Sequence, residues 1–169
     1  IHAAGIEESQ AIVKKTVESF SRVFDTKIKG FKNISKAFEK HDLKFIIGFS
    51  SVTARFGNAG QCDYTAANDM LGKLIIQEKI KRPDLIVKIM DWTAWEGAGM
   101  ATDETVRKVL TSRGLTFLPL VEGIRHFKAE IAHENSGETV FTGMDRAFDP
   151  DGLISDEEAE NGRHAEKSF

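Results

Sequence analysis

Val17, Phe20, Val23, Phe24, Ile28, Phe31, Ile34 and Phe38 recur at intervals of three and four, which predicts an amphipathic helix from about Thr16 to His41. Thr16 supplies an N-cap and Glu18 an acid in the first turn, and Gly30 interrupts the helix without ending it. The run from Leu43 to Ser50 is short and apolar, as expected of a strand buried on both faces of a parallel sheet. Ser51 to Gln61, with Gly57, Asn58, Ala59 and Gly60, predicts a loop. Ala67, Met70, Leu71, Leu74 and Ile75 then restore a helical stripe from Tyr64 to about Lys81, closed by Pro83. Leu85 to Met90 predicts a second buried strand, and Asp91 to Ala101 is too irregular for either period and reads as a loop. Two helical stretches, Thr102 to Ser112 and Pro119 to Ala132, precede a short strand from Glu138 to Gly143. Past Met144 the pattern gives way to Asp, Glu, Gly and Asn, the composition of a flexible tail.

Strands alternating with long helices call for crossover connections and a parallel sheet, hence a Rossmann-like α/β sandwich of three layers, αβα. In such sheets ligands bind outside the carboxyl ends of the strands. That rule singles out Ala3 to Glu8, Ser50 to Tyr64 and Asp91 to Ala101.

Composition narrows the partners. The 169 residues carry a net charge of −3, too weak to steer the protein toward nucleic acid or an anionic membrane. Met144 to Phe169 holds a local net of −5 and leaves +2 for Ile1 to Gly143, so 1–143 reads as the folded part and 144–169 as an acidic tail or linker. Cys62 is the only cysteine, which rules out an intrachain disulfide or a cysteine-rich zinc cluster and fits a cytoplasmic protein. The five histidines show no metal-ligand spacing, and no metal is expected. No apolar run approaches the ~18 residues that span a bilayer. The opening Ile1-His-Ala-Ala-Gly5, without an initiator Met, reads as the interior of a larger domain.

Two residues stand out chemically. At about 100° per residue, Lys27 falls inside the arc of Phe20, Phe24, Phe31, Ile34 and Phe38. Either it lays its methylenes on the core with the ammonium at the edge, or it directs the ammonium into a polar site beneath the helix. Tyr64 is the chain's only tyrosine, Asn68 follows it at i+4, and Ser50 and Ser51 end the preceding strand. A phenol works as an acid near neutral pH when a nearby ammonium lowers its pKa from ~10, so Lys27, Ser51, Tyr64 and Asn68 form a candidate site. Tyr64 as a half-buried aromatic and Ser51 as a strand-end hydroxyl bonded to backbone is the plainer alternative.

Five separated segments carry a resemblance: Ile1-His-Ala-Ala-Gly5, Lys27 within Asp-Thr-Lys-Ile-Lys-Gly, Phe49-Ser-Ser51, Gly60-Gln-Cys-Asp-Tyr-Thr-Ala-Ala-Asn68 and Trp92-Thr-Ala-Trp-Glu-Gly-Ala-Gly-Met-Ala101. In order and spacing they resemble the ketoreductase domain of polyketide synthases, a short-chain dehydrogenase/reductase, from Ile1 to about Gly143. Most such reductases have Tyr-x-x-x-Lys. This family exchanges the lysine and asparagine positions, as Lys27 and Asn68 do here. The resemblance implies hydride transfer from NADPH to the β-keto group of an acyl chain on the phosphopantetheine arm of acyl carrier protein. Tyr64 would donate the proton, Ser51 polarise the carbonyl, Lys27 lower the tyrosine pKa and bind the nicotinamide ribose, and Asn68 support a relay water. Ala4 and Gly5 would pass the adenosine half of the cofactor, and Trp92 and Thr93 flank its nicotinamide.

Departures from the family pattern qualify this. The chain contains no Gly-x-Gly-x-x-Gly, the motif that cradles a dinucleotide pyrophosphate and that precedes the His-x-Ala-Gly strand in this family. The sequence therefore reads as the C-terminal catalytic part, with the glycine-rich N-terminal half and the other synthase domains as partners, and with little activity expected of this part alone. Thr93 replaces the family's glycine after tryptophan. Ile6-Glu-Glu-Ser9 and Phe56 match neither stereochemical class. Trp95 to Gly114 has the composition of a mobile lid or an ordinary loop. The competing reading is a non-catalytic structural or docking remnant of a megasynthase that keeps the reductase fold.

Overall fold

In the computed structural model, which describes residues 1–97, 99, 108 and 117–142, three strands pair in parallel in chain order: β1 (Phe45–Ser51), β2 (Ile86–Trp92) and β3 (Gly137–Phe141). His2 adds a further parallel bridge to Gly48. Parallel neighbours need a crossover, and helices supply each one. Helix α1 (Val17–Ala37) separates His2 from β1, α2 (Thr53–Phe56) and α3 (Cys62–Lys81) separate β1 from β2, and α4 (Leu120–Ala132) precedes β3. The fold is the expected α/β class.

The chain divides into two compact units. The first, Ile1–Trp92 with Phe127–Phe141, holds the sheet. On one face Val87 and Ile89 pack with Ile28 and Phe31 of α1 and with Leu71 and Ile75 of α3. Gly48 permits that approach: a Cβ there would lie 2.3 Å from Ile75 Cδ1. On the other face Phe49 meets Phe127 at 5.7 Å between ring centroids, so the last turns of α4 form the third layer. Within the second unit, Thr93–His126 and Thr142–Phe169, the Trp95 and Leu118 backbones form a parallel bridge, and Gly123 lies against the Trp95 ring.

Several expectations shift. The loop after β1 contains the short helix α2, and α3 begins at Cys62, ahead of Tyr64. Asp91 and Trp92 continue β2, because Ser50 and Ser51 give them parallel partners. The residues that α1 buries are Ser19, Val23, Lys27, Ile28 and Phe31, whereas Ile34 and Phe38 near its end are exposed. A line of residues four apart thus faces inward, with Lys27 in it. The stretch Thr102 to Ser112 is outside the described residues except at Lys108, and so are most of the proposed lid, Gly143 and the acidic tail. No helix among the described residues is long and apolar enough to cross a membrane.

Candidate active site

The carboxyl end of β1 turns directly into α2, and the Val52 N–H donates to the Trp92 carbonyl at 3.1 Å to hold the two strand ends together. Ser51 is buried there, and its Oγ accepts from the Thr53 N–H at 3.3 Å and from Thr53 Oγ1 at 3.1 Å. A hydroxyl has two lone pairs and one proton. The Ser51 hydroxyl lies near enough to the Tyr64 phenol to favour its ionised form. Tyr64 lies in the first turn of α3, and Asn68 follows one turn later, fully buried, with Nδ2 donating to the Tyr64 carbonyl at 2.8 Å. Asn68 also favours the ionised phenol, while its Oδ1 is buried and without a partner among the described residues. The structure therefore gathers Ser51, Tyr64 and Asn68 into one cluster.

Lys27 reaches the same strand end by another route. Its side chain passes inward from α1 and donates to the Phe49 carbonyl at 2.8 Å. A carbonyl offers a dipole and no countercharge, so burial dominates and pulls the amine down to about 8. His2 fixes the turn that carries it: Nε2 donates to the Lys27 carbonyl at 2.9 Å, and the His2 carbonyl accepts from the Phe49 N–H at 2.9 Å. His2, Lys27 and Phe49 close a ring of contacts at the sheet edge. Burial also lowers the His2 pKa, with the Lys27 charge adding to the effect.

The expected acidification of the phenol is not present in this arrangement. Burial raises the Tyr64 pKa, the hydrogen bonds with Asn68 and Ser51 pull it back, and the Glu7 carboxylate pushes it further up. The Lys27 amine is engaged with Phe49 and is not among the groups acting on the phenol. Trp92, expected in a loop, lies in β2, where its ring stacks on Phe141 at 4.0 Å and 11° and sits 5.7 Å from Phe49. Thr93 follows it and is buried, Ala4 is exposed, and Gly5 is half-buried.

Sequence reasoning missed a second set of charges. Asp91 is fully buried in β2 beside Ser50, and burial pushes its carboxyl up to about 7. Arg55 of α2 faces it at 3.5 Å and pairs with Glu138 of β3. It also missed Lys15 and Asp63, whose charged groups lie 2.7 Å apart with almost no exposure. Asp63 stands within the quoted Gly60 to Asn68 motif, and its place next to Tyr64 was the available signal. Among the described residues no group of His, Cys, Asp and Glu could hold a metal.

Residues 1–97 match the family model described as the KR domain. The chain belongs to this family. As a ketoreductase-domain sequence it is 34% identical over 146 residues to polyketide synthase PksM of Bacillus subtilis, covering 85% of this chain and 3% of that protein. It is 37% identical over 117 residues to mellein synthase of Phaeosphaeria nodorum, covering 69% of this chain and 6% of that one. Among solved structures it resembles the ketoreductase from the first module of phoslactomycin biosynthesis in Streptomyces sp. HK803, with a TM-score of 0.74 and 26% identity over 82% of this chain and 31% of the other. The first ketoreductase of the tylosin synthase gives a TM-score of 0.73 and 26% identity, covering 97% of this chain and 37% of that one. The chain thus spans a few per cent of its curated relatives and about a third of these solved ketoreductases.

Proposed function

We propose that this chain carries the proton-donating part of an NADPH-dependent ketoreductase site, which reduces the β-keto group of an acyl thioester borne on acyl carrier protein within a polyketide synthase. The observation that supports this best is the cluster itself: a buried serine hydroxyl and a buried asparagine amide gathered around the chain's one phenol at the carboxyl end of a parallel strand. An acceptor carbonyl that gains a hydride becomes an oxyanion. Two preplaced hydroxyl donors stabilise that charge more in the transition state than in the ground state. Ser51 would hold the carbonyl oxygen, and Tyr64 would give up its proton to it. Asn68 Oδ1, a buried acceptor, suits a water that reprotonates the phenol.

The residues present fit a nicotinamide cofactor in one respect. The Lys27 ammonium has three N–H donors and uses one on Phe49, which leaves donors for ribose hydroxyls. NADPH would supply the hydride. An angucycline ketoreductase of this fold has been solved with NADP bound. Ala4, Gly5, Trp92 and Thr93 are the further positions assigned to the cofactor by family resemblance, and the carrier protein and neighbouring synthase domains are the assigned partners. Lys27 would hold the cofactor's ribose with the donors that Phe49 leaves unused.

The raised pKa of Tyr64 is the observation that favours the competing reading, a structural remnant without turnover. The test follows NADPH absorbance with the chain extended upstream through the glycine-rich half and a β-ketoacyl thioester on acyl carrier protein or on pantetheine. Turnover that falls about 10²–10⁴-fold on Tyr64→Phe supports the assignment. Turnover that ignores the substitution removes Tyr64 from its role, and no NADPH binding by a chain extended upstream through the glycine-rich half favours the remnant.

A further inference from the structure

The segment between the first bridge and α1, residues 5–16, is not a free loop. Its Gln10 N–H donates to the Gly60 carbonyl at 2.8 Å, and Ser9 Oγ accepts from Gln61 Nε2 at 3.2 Å, so it lies along the turn that leads into Tyr64. The Glu8 carboxylate accepts from Ser19 Oγ at 2.9 Å and from Arg22 at 2.6 and 2.8 Å, which ties the segment to α1. The Lys15 amine donates to the Glu8 carbonyl and reaches Asp63 Oδ2 at 2.7 Å. Asp63 in turn accepts the Tyr64 N–H on Oδ1 at 2.9 Å. Surface ion pairs contribute little, but this pair is almost wholly withdrawn from water, and such a pair demands its geometry.

We infer that Lys15 and Asp63 are positioning residues: their buried ion pair fastens residues 5–16 over the start of α3 and so fixes the depth and surroundings of the Tyr64 phenol. The inference rests on the proposed role of Tyr64, but its test does not need turnover. Fastening brings Glu7 to the phenol, whose ionisation it opposes. The other groups around the phenol are Ser51 and Asn68 by hydrogen bond, Asp63 and Lys15 at the adjoining residue, and Lys27, which is held by Phe49. Unfastening would let the segment and its carboxylate withdraw, and the phenol would ionise more easily.

Because Tyr64 is the only tyrosine, the ultraviolet absorbance of tyrosinate during a base titration reads this phenol alone. Glu7→Gln in the otherwise unchanged chain lowers the midpoint by removing one opposing charge. In a Lys15→Met chain the same substitution loses more than half of that shift, and the Gln10 amide exchanges its hydrogen at least about tenfold faster. Asp63→Asn moves the midpoint in the same direction as Lys15→Met, although the two remove opposite charges. Lys15→Arg, which keeps the pair, restores both readouts. Lys15→Gln, which still donates a hydrogen bond, is the milder variant and falls between if Lys15→Met does not fold. Opposite shifts from Lys15→Met and Asp63→Asn, or a Glu7→Gln shift that persists with an unchanged Gln10 amide, would overturn the inference. If these couplings hold while turnover of the upstream-extended chain ignores Tyr64→Phe, the catalytic reading falls and the fastening stands.

Discussion

Among the described residues, Lys27 under α1 and Lys88 in β2 are lysines buried as whole residues, at 4% and 2% exposure. Their surroundings differ. Lys88 donates to Glu130 Oε2 at 3.2 Å and Asn135 Oδ1 at 2.7 Å, and Glu130 is itself anchored by the Thr139 hydroxyl at 3.0 Å. Lys27 has the Phe49 carbonyl and, among the described residues, no carboxylate partner. Where α4 turns into β3, a buried charge is matched by charge and joins elements. At the carboxyl end of β1, a buried charge has no countercharge among the described residues. Such a charge costs folding stability, and the cofactor-holding role proposed for Lys27 would account for its being kept.

The comparison predicts opposite signs for the same substitution. Lys88→Met strands the Glu130 carboxylate, and because that group is 23% exposed the loss should be about 3 kcal/mol, the low end for breaking a buried pair. Denaturant titration at constant slope measures it, and a loss well below about 1 kcal/mol would place Lys88 with the surface lysines. Lys27→Met should stabilise the chain at neutral pH by up to about 3 kcal/mol, since an amine at about 8 in the folded chain and ~10.4 unfolded opposes folding while it is charged. Below pH 8 both states hold the proton and the penalty is complete. Between about 8 and 10.4 the unfolded chain holds more protons than the folded one, so stability rises with pH through that window. The Met variant should lack the rise. A parent chain that loses stability across the window would mean that the Lys27 amine has a countercharge after all.

Lys27 was visible in the sequence because helical spacing is a property of the chain alone: a lysine in an apolar arc is an anomaly whatever surrounds it. Lys88, inside the run Leu85 to Met90, is the same anomaly on a strand, and its explanation lies in Glu130 and Asn135, more than 40 residues away. The elements themselves were legible for the same local reason, as were Ser51, Tyr64 and Asn68 through one strand end and one helix start. What the sequence could not show is direction. Whether the Lys27 amine turns to the phenol or to the Phe49 carbonyl depends on His2 and on the depth of α1, and neither is written in the spacing. The strand character of Asp91 and Trp92 was hidden too, because their ladder partners Ser50 and Ser51 come from another element.

The finest test of the comparison lies on α1 itself. Lys29, two positions beyond Lys27, projects to solvent with 70% of its side chain exposed and meets Asp25 one turn back at 2.7 Å. It has the countercharge that Lys27 lacks but also the water that Lys27 is denied. Water already stabilises both ions, so the pair adds about 0.3–0.5 kcal/mol, and salt at about 1 M screens most of that over a Debye length of ~3 Å. Asp25→Asn should therefore cost a few tenths of a kcal/mol in dilute buffer and almost nothing at high salt, while the effect of Lys27→Met survives the salt because its cause is burial. If both effects faded together with salt, the penalty on Lys27 would be a surface interaction, and the distinction between a structural and a functional buried lysine would lose its basis.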